Sequence, residues 1–143
     1  MTLRHFLIPV FVQVALTLIV LSALGASRVR AIRRREVRIG DIALDPTAWP
    51  TKSRQLANCL RNQFESPILF YVAMLVAVVT GKTDAVMLLL AWLFIAFRLA
   101  HAYIHVTSNH VPRRFYAFLG GIVALTGLWL WLAWRIYVDG SLG

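Results

Sequence analysis

Four long apolar segments determine what this chain can fold into. The clearest covers residues 6–26, which carry no charge and are long enough to cross a hydrocarbon core of roughly 30 Å as one helix. Others lie at 66–81, 85–106 and 115–134, and the first of these spans only if its helix begins near Arg54. Only 15% of the residues are charged, against about 25% in soluble domains. We therefore predict an all-α integral membrane protein, a single domain (1–143) with a four-transmembrane-helix bundle at about 5–27, 54–81, 84–108 and 112–138.

Basic residues concentrate in two of the three predicted loops. The loop between helices one and two contains Arg28, Arg30, Arg33, Arg34, Arg35, Arg38, Lys52 and Arg54, and the loop between helices three and four contains Arg113 and Arg114. The positive-inside rule places both loops in the cytoplasm and both termini outside, and we expect a bacterial inner membrane. The net charge of +9 reflects this bias and favours anionic lipid head groups. It does not indicate nucleic acid, because no aromatic interleaving or fold signature accompanies it.

Polar residues of the second predicted helix share one face. Arg54, Asn58, Arg61, Asn62 and Glu65 recur at helical spacing and form a narrow stripe. An ionisable group at membrane depth is a functional candidate by default. The alternative is a polar fringe at the membrane surface, in which Arg61 neutralises Glu65 one turn later.

The third predicted helix carries a second stripe, formed by Arg98, His101, His105 and Asn109. Arg98 lies deep in its helix, where an unpaired charge costs at least about 2.5 kcal/mol, so we expect it to face the bundle. Glu65 is the one carboxylate placed to approach it, and we expect the two to share a polar pocket that opens to the cytoplasm. The alternative is a buried ion pair that only fixes helix register.

Metal binding and cysteine chemistry are weaker hypotheses. His101 and His105 are four residues apart, as metal ligands can be, but few further ligands exist and Arg98 would repel a cation. We expect no metal and assign the histidines hydrogen-bonding roles. Cys59, near Arg61, is the only cysteine, and a lone cysteine is more often inert than nucleophilic.

The start of the fourth helix adds two cations. Pro112 can open the helix, which places Arg113 and Arg114 at its N-terminus, where they suit membrane anchoring or an anionic ligand. A pocket with several arginines, an amide and one acid suits a zwitterion with surplus negative charge. Glutathione has that character, and many anionic metabolites share it.

Two short motifs resemble a known family. The "NQFE" of helix two and the "RLAH" of helix three are similar to those of MAPEG proteins, the membrane-associated proteins in eicosanoid and glutathione metabolism. The resemblance implies a homotrimer with glutathione bound between adjacent subunits, and an apolar acceptor that enters from the bilayer. It assigns glutathione contacts to Arg61, Asn62, Glu65, Arg98 and His101. It also places Arg113 or Arg114 where several enzymes carry the arginine that lowers the thiol pKa.

The chain departs from the family pattern at two positions that contact glutathione in many catalytic members. Asn58 stands where those members have an arginine, and His105 where they have a tyrosine. The ligand could therefore be a thiol other than glutathione, or a different anion. We expect a glutathione-dependent transferase or peroxidase that acts on lipophilic electrophiles. The alternative is a non-catalytic lipid-binding or scaffold protein of the same fold, whose partners are its own copies and lipophilic molecules.

Overall fold

Helices account for nearly all of the architecture. The structure is a computed structural model that describes residues 2–140, and no β-strand occurs among them. The helices are α1 (Leu3–Arg33), α2 (Ile39–Ile42), α3 (Thr51–Asn62), α4 (Ser66–Val79), α5 (Ala85–Val106) and α6 (Val111–Gly140). A 3-10 turn, Pro46–Ala48, lies between α2 and α3.

Four helical segments are long and apolar enough to cross a membrane: α1, α3 with α4, α5, and α6. This confirms the predicted all-α bundle with four spans. Many large apolar side chains on these helices remain exposed, including Phe11, Ile19 and Leu75. Such surfaces suit lipid rather than water.

The second span is interrupted, which the sequence analysis did not predict. The expected helix over 54–81 is divided by residues 63–65, with α3 ending at Asn62 and α4 beginning at Ser66. Pro67 explains the division. In a continuous helix its ring would clash with the carbonyl of Gln63 and leave that carbonyl without a donor. The chain therefore ends one helix and starts another, with Pro67 in the first turn of α4.

The apolar core lies between the helices at the end of the bundle away from the arginine-rich segment. Phe70 of α4 stacks on Phe94 of α5, with ring centroids 4.7 Å apart. Asp84 closes this end of the bundle: its carboxylate caps α5 by accepting from the Met87 N–H at 2.9 Å. It also accepts from the Trp131 indole at 3.0 Å and lies 3.2 Å from the Arg135 guanidinium, so it joins α5 to α6.

Two adjacent glycines of α6 allow it to approach α5 closely. A Cβ atom built on Gly120 would lie 2.4 Å from the ring of Phe97. A Cβ atom on Gly121 would lie 3.6 Å from Phe97 Cβ and 4.0 Å from Arg98 Cδ, which are ordinary contacts. Small residues at such positions allow membrane helices to pack tightly. Here Gly120 makes room for the Phe97 ring.

These glycines give a matched test of the α5–α6 packing. Alanine improves helix propensity equally at both positions, so the difference between the variants reports the contact alone. Gly120→Ala must push the Phe97 ring out of place, and we expect it to be less stable than Gly121→Ala by about 1 kcal/mol. Thermal unfolding in detergent measures this difference. Equal melting temperatures would contradict the close approach of Phe97 to Gly120.

Candidate functional site

The polar stripe of the second span is divided between two cavities, and the division falls between the adjacent residues Arg61 and Asn62 of α3. Asn62 and Glu65 line one cavity. Arg54, Asn58 and Arg61 line another. The two cavities share no lining residue. The stripe expected from helical periodicity is therefore not one surface, because its members face two different spaces.

The first cavity, called the polar pocket below, has a volume of about 270 Å³. It is lined by Asn62, Glu65, His101, Val111, Arg114, Phe115 and Phe118. Four of these residues belong to the predicted site, and they come from the second span, α5 and α6. The fold thus brings Asn62, Glu65, His101 and Arg114 together.

Arg114 reaches the pocket because Asn109 fixes its position. The Arg114 guanidinium donates to Asn109 Oδ1 at 2.6 Å. Asn109 has a positive φ of 50° and donates its backbone N–H to the Ile104 carbonyl at 2.8 Å, which ties the turn to the end of α5. Arg113 is exposed and does not line the pocket. Of the two arginines that the sequence analysis left open, Arg114 faces the pocket.

One wall of the polar pocket is apolar. Val111, Phe115 and Phe118 of α6 form it. Phe118 also meets the His101 ring edge-on, with centroids 5.9 Å apart. Val111 and Phe115 are more than half exposed. The pocket therefore places polar groups beside an apolar surface at the edge of the bundle.

Arg98 and His105 lie behind the pocket and hold its lining. Arg98 is 2% exposed; one of its terminal nitrogens donates to the Asn62 carbonyl at 2.6 Å, and the other lies 3.4 Å from His101 Nδ1. His105 Nδ1 lies 3.5 Å from the Asn62 amide nitrogen, and its ring stacks on that of His101. Arg98 thus faces the bundle as predicted and fixes the end of α3.

Glu65 lines the polar pocket but Arg98 does not, so the two do not share that pocket as expected, and the alternative of an ion pair between them is not formed either. Neither residue makes an ion pair within residues 2–140, and the same holds for Arg61 and Glu65. The physical reason is the helix end at Asn62, whose free carbonyl takes the Arg98 guanidinium that the prediction assigned to a carboxylate. Glu65 instead lines the polar pocket with its side chain exposed.

A buried pair of glutamines, not considered in the sequence analysis, supports the interruption. Gln13 of α1 donates its amide to Gln63 Oε1 at 2.9 Å, and Gln63 in turn lies 3.4 Å from the Cys59 carbonyl. Both glutamine side chains are buried. Because Gln63 lies between Asn62 and Glu65, this bond holds the backbone that carries both. The sequence feature that could have indicated this pair is Gln13, the single amide side chain within residues 6–26.

Cys59 and the histidines show no arrangement for metal or thiol chemistry in the part of the chain that the structure describes. Cys59 is free and buried at 1% exposure. No group of three or more His, Cys, Asp or Glu side chains is placed there to hold a metal ion.

The family model described as MAPEG family matches residues 6–134, which include all residues of the polar pocket. Neither the comparison with curated proteins nor that with solved structures gives a match.

The glutamine pair gives a test of how the interruption is held. Gln13→Leu or Gln63→Leu alone leaves a buried amide without its partner, and we expect each to destabilise the fold by about 1–3 kcal/mol. The double variant should lose less than the sum, with a coupling of about 0.5–2 kcal/mol. Thermal unfolding of the four proteins in detergent gives this coupling. Strictly additive losses would show that the pair does not hold the interruption.

Proposed function

The chain belongs to the MAPEG family, and from that premise we propose that it is a membrane-bound glutathione-dependent transferase or peroxidase that acts on lipophilic electrophiles. The polar pocket supports this proposal because it sets a guanidinium, an amide and a carboxylate beside an apolar wall. A hydrophilic thiol and an apolar acceptor both have a suitable surface there.

The groups in the pocket fit the charges of glutathione, which has two carboxylates, one ammonium and one thiol. Arg114 gives one N–H group to Asn109 and keeps others for an anion. The Asn62 side chain can donate and accept. Glu65 makes no ion pair within residues 2–140, so it remains available for the ammonium. The donor set therefore fits glutathione as the co-substrate.

The two departures from the family pattern do not remove a group from this pocket. Asn58 lines the other cavity, and His105 lies behind Asn62, so neither lines the polar pocket. Asn62, Glu65, His101 and Arg114 remain the proposed contacts, with Arg98 and His105 as positioning residues. Arg61, which the resemblance assigns to glutathione, lines the other cavity within one chain.

Arg114 is the proposed catalytic residue. It lies in the first turn of α6, where the helix dipole and the guanidinium both favour an anion. A thiolate is therefore favoured over a thiol, and each unit by which the thiol pKa falls is worth about 1.4 kcal/mol. The thiolate sulfur then bonds to the electrophilic carbon of an acceptor held against Phe115 and Phe118, while the leaving group departs. Proximity supplies the rest of the acceleration.

We propose that the pocket is completed in a homotrimer. Its volume of about 270 Å³ lies just below the roughly 300–1,000 Å³ typical of ligand sites, and Val111 and Phe115 expose more than half of their surface beside it. An adjacent copy would cover that side. In the proposed topology the loop between α1 and α3 and the loop between α5 and α6 face the cytoplasm of a bacterial inner membrane, and both termini lie outside.

A non-catalytic lipid-binding or scaffold role is the alternative. The observation in its favour is the apolar wall of Val111, Phe115 and Phe118, which could hold a lipid chain without any reaction. The two functions differ in one property, since only the enzyme needs a thiolate in the pocket.

Arg114→Ala tests the enzymatic proposal, and Arg113→Ala is the matched control because Arg113 lies outside the pocket. We expect Arg114→Ala to raise the pKa of bound glutathione by about one unit and to lower kcat/KM about tenfold. Thiolate absorbance against pH and turnover of a chloronitrobenzene measure the two effects. Arg113→Ala should change neither.

Two results would contradict this prediction. Equal losses in both variants would show a general effect of basic charge at the membrane surface. If calorimetry with millimolar glutathione gives neither heat nor thiolate for the unsubstituted protein, the transferase proposal fails and the non-catalytic role replaces it.

A further inference from the structure

We propose that the second cavity, called the arginine pocket below, binds the phosphate group of an anionic membrane lipid. It has a volume of about 200 Å³ and lies where α1, the 3-10 turn and α3 meet. Its polar lining includes Arg28, Thr47, Arg54, Asn58 and Arg61, and Trp49 forms part of its wall. It is independent of the proposed thiol chemistry because it shares no residue with the polar pocket.

The charge of the arginine pocket has a single sign. Three guanidinium groups line it and no carboxylate does, and none of the three makes an ion pair within residues 2–140. Nε of Arg28 is buried and has no hydrogen-bond partner among the described residues. Guanidinium groups bind phosphate through paired hydrogen bonds, so an anion with several oxygens would satisfy them.

The walls of the pocket are held by specific contacts. The Arg28 guanidinium lies over the Trp49 ring, 4.9 Å from its centroid. The hydroxyls of Ser27 and Ser53 are 2.7 Å apart and join α1 to α3. These contacts hold the three helical segments around the cavity independently of any ligand.

Asp45, the acid that comes directly before the 3-10 turn, is hydrogen-bonded within the loop. Asp45 accepts from the backbone N–H and the hydroxyl of Thr47 at 2.8 and 2.7 Å, which fixes the 3-10 turn. These hydrogen bonds lower the pKa of Asp45. Its carboxylate is exposed and does not line the cavity. Asp45 also interacts electrostatically with Arg54, but no carboxylate is among the residues that line the cavity, so the lining itself is positively charged.

The start of α3 adds to the same field. This helix begins at Thr51, and its first turn has no acidic residue and no side-chain cap. The positive end of its dipole lies at the cavity, since Ser53 and Arg54 of that turn line it. A phosphate would be favoured there on two counts, the arginines and the helix terminus.

The surroundings of the arginine pocket favour a lipid over a soluble metabolite. Its volume of about 200 Å³ is enough for a phosphate head group. Leu21 lies two helical turns before Arg28 on the same face of α1 and is 48% exposed. An acyl chain could follow that face while the phosphate occupies the arginine pocket.

Lipid titration of the full-length, delipidated protein in detergent tests the proposal. Native mass spectrometry counts short-chain phosphatidylglycerol bound to each chain, with phosphatidylcholine of the same chain length for comparison. We expect phosphatidylglycerol to bind more tightly, and Arg28→Gln and Arg54→Gln each to lower its affinity about tenfold. Arg54 is exposed and makes no hydrogen bond through its side chain within residues 2–140, so its substitution should leave the fold intact.

Arg38→Gln is the matched control, because it removes the same charge from an exposed position outside the cavity. It should change the affinity by less than about twofold, as expected of a screened surface charge. An equal loss in this control would show diffuse surface charge and overturn the pocket. Glycerol phosphate or inorganic phosphate that binds as tightly as phosphatidylglycerol would overturn the lipid as the source of the phosphate.

Discussion

The arrangement of this bundle depends on one hydrogen bond, from the buried Arg98 guanidinium to the carbonyl of Asn62. A helix that ends inside a bundle leaves carbonyl groups without donors, and its C-terminus carries a partial negative charge. Arg98 meets both needs at the end of α3. The positive charge of Arg98 is offset by the partial negative charge of the helix terminus and not by a carboxylate. The cost of a buried arginine and the cost of an interrupted span therefore offset each other.

Helices α3 and α5 are joined by further hydrogen bonds, in which side chains of α3 donate to the backbone of α5. The Lys52 ammonium donates to the Val106 carbonyl, and the Gln55 amide donates to the His105 carbonyl. Side chains of α3 thus cap the end of α5, while a side chain of α5 caps the end of α3. This reciprocal capping fixes the rotation of α3, and adjacent residues Arg61 and Asn62 then face different cavities. One short helix serves two sites.

The sequence was sufficient to predict the four spans and the buried polar face of α5 with Arg98, His101 and His105, because apolar length and helical periodicity are local properties. It was insufficient at the interruption, where Pro67 acts on the carbonyl of Gln63 four residues earlier, while the helical spacing of the polar residues continues through Glu65. The expectation that Arg98 and Glu65 share one pocket failed for a related reason: only side chains were considered as partners for Arg98, and its guanidinium donates to a backbone carbonyl. The choice between Arg113 and Arg114 depended on the turn before α6, where Asn109 has a positive φ and accepts a hydrogen bond from Arg114. The sequence does not show such a turn.

The partner that Arg98 takes also determines what the polar pocket can recognise. Because the Arg98 guanidinium donates to the backbone, Glu65 makes no ion pair within residues 2–140 and faces the polar pocket with Arg114. That pocket therefore offers both signs of charge and suits a ligand that also carries both. The arginine pocket offers one sign and suits a simple anion. Had Arg98 paired with Glu65, the acid would have been neutralised and both cavities would have favoured anions alone. The helix end at Asn62 thus allows the polar pocket and the arginine pocket to suit different ligands, although both are lined by polar residues of the second span.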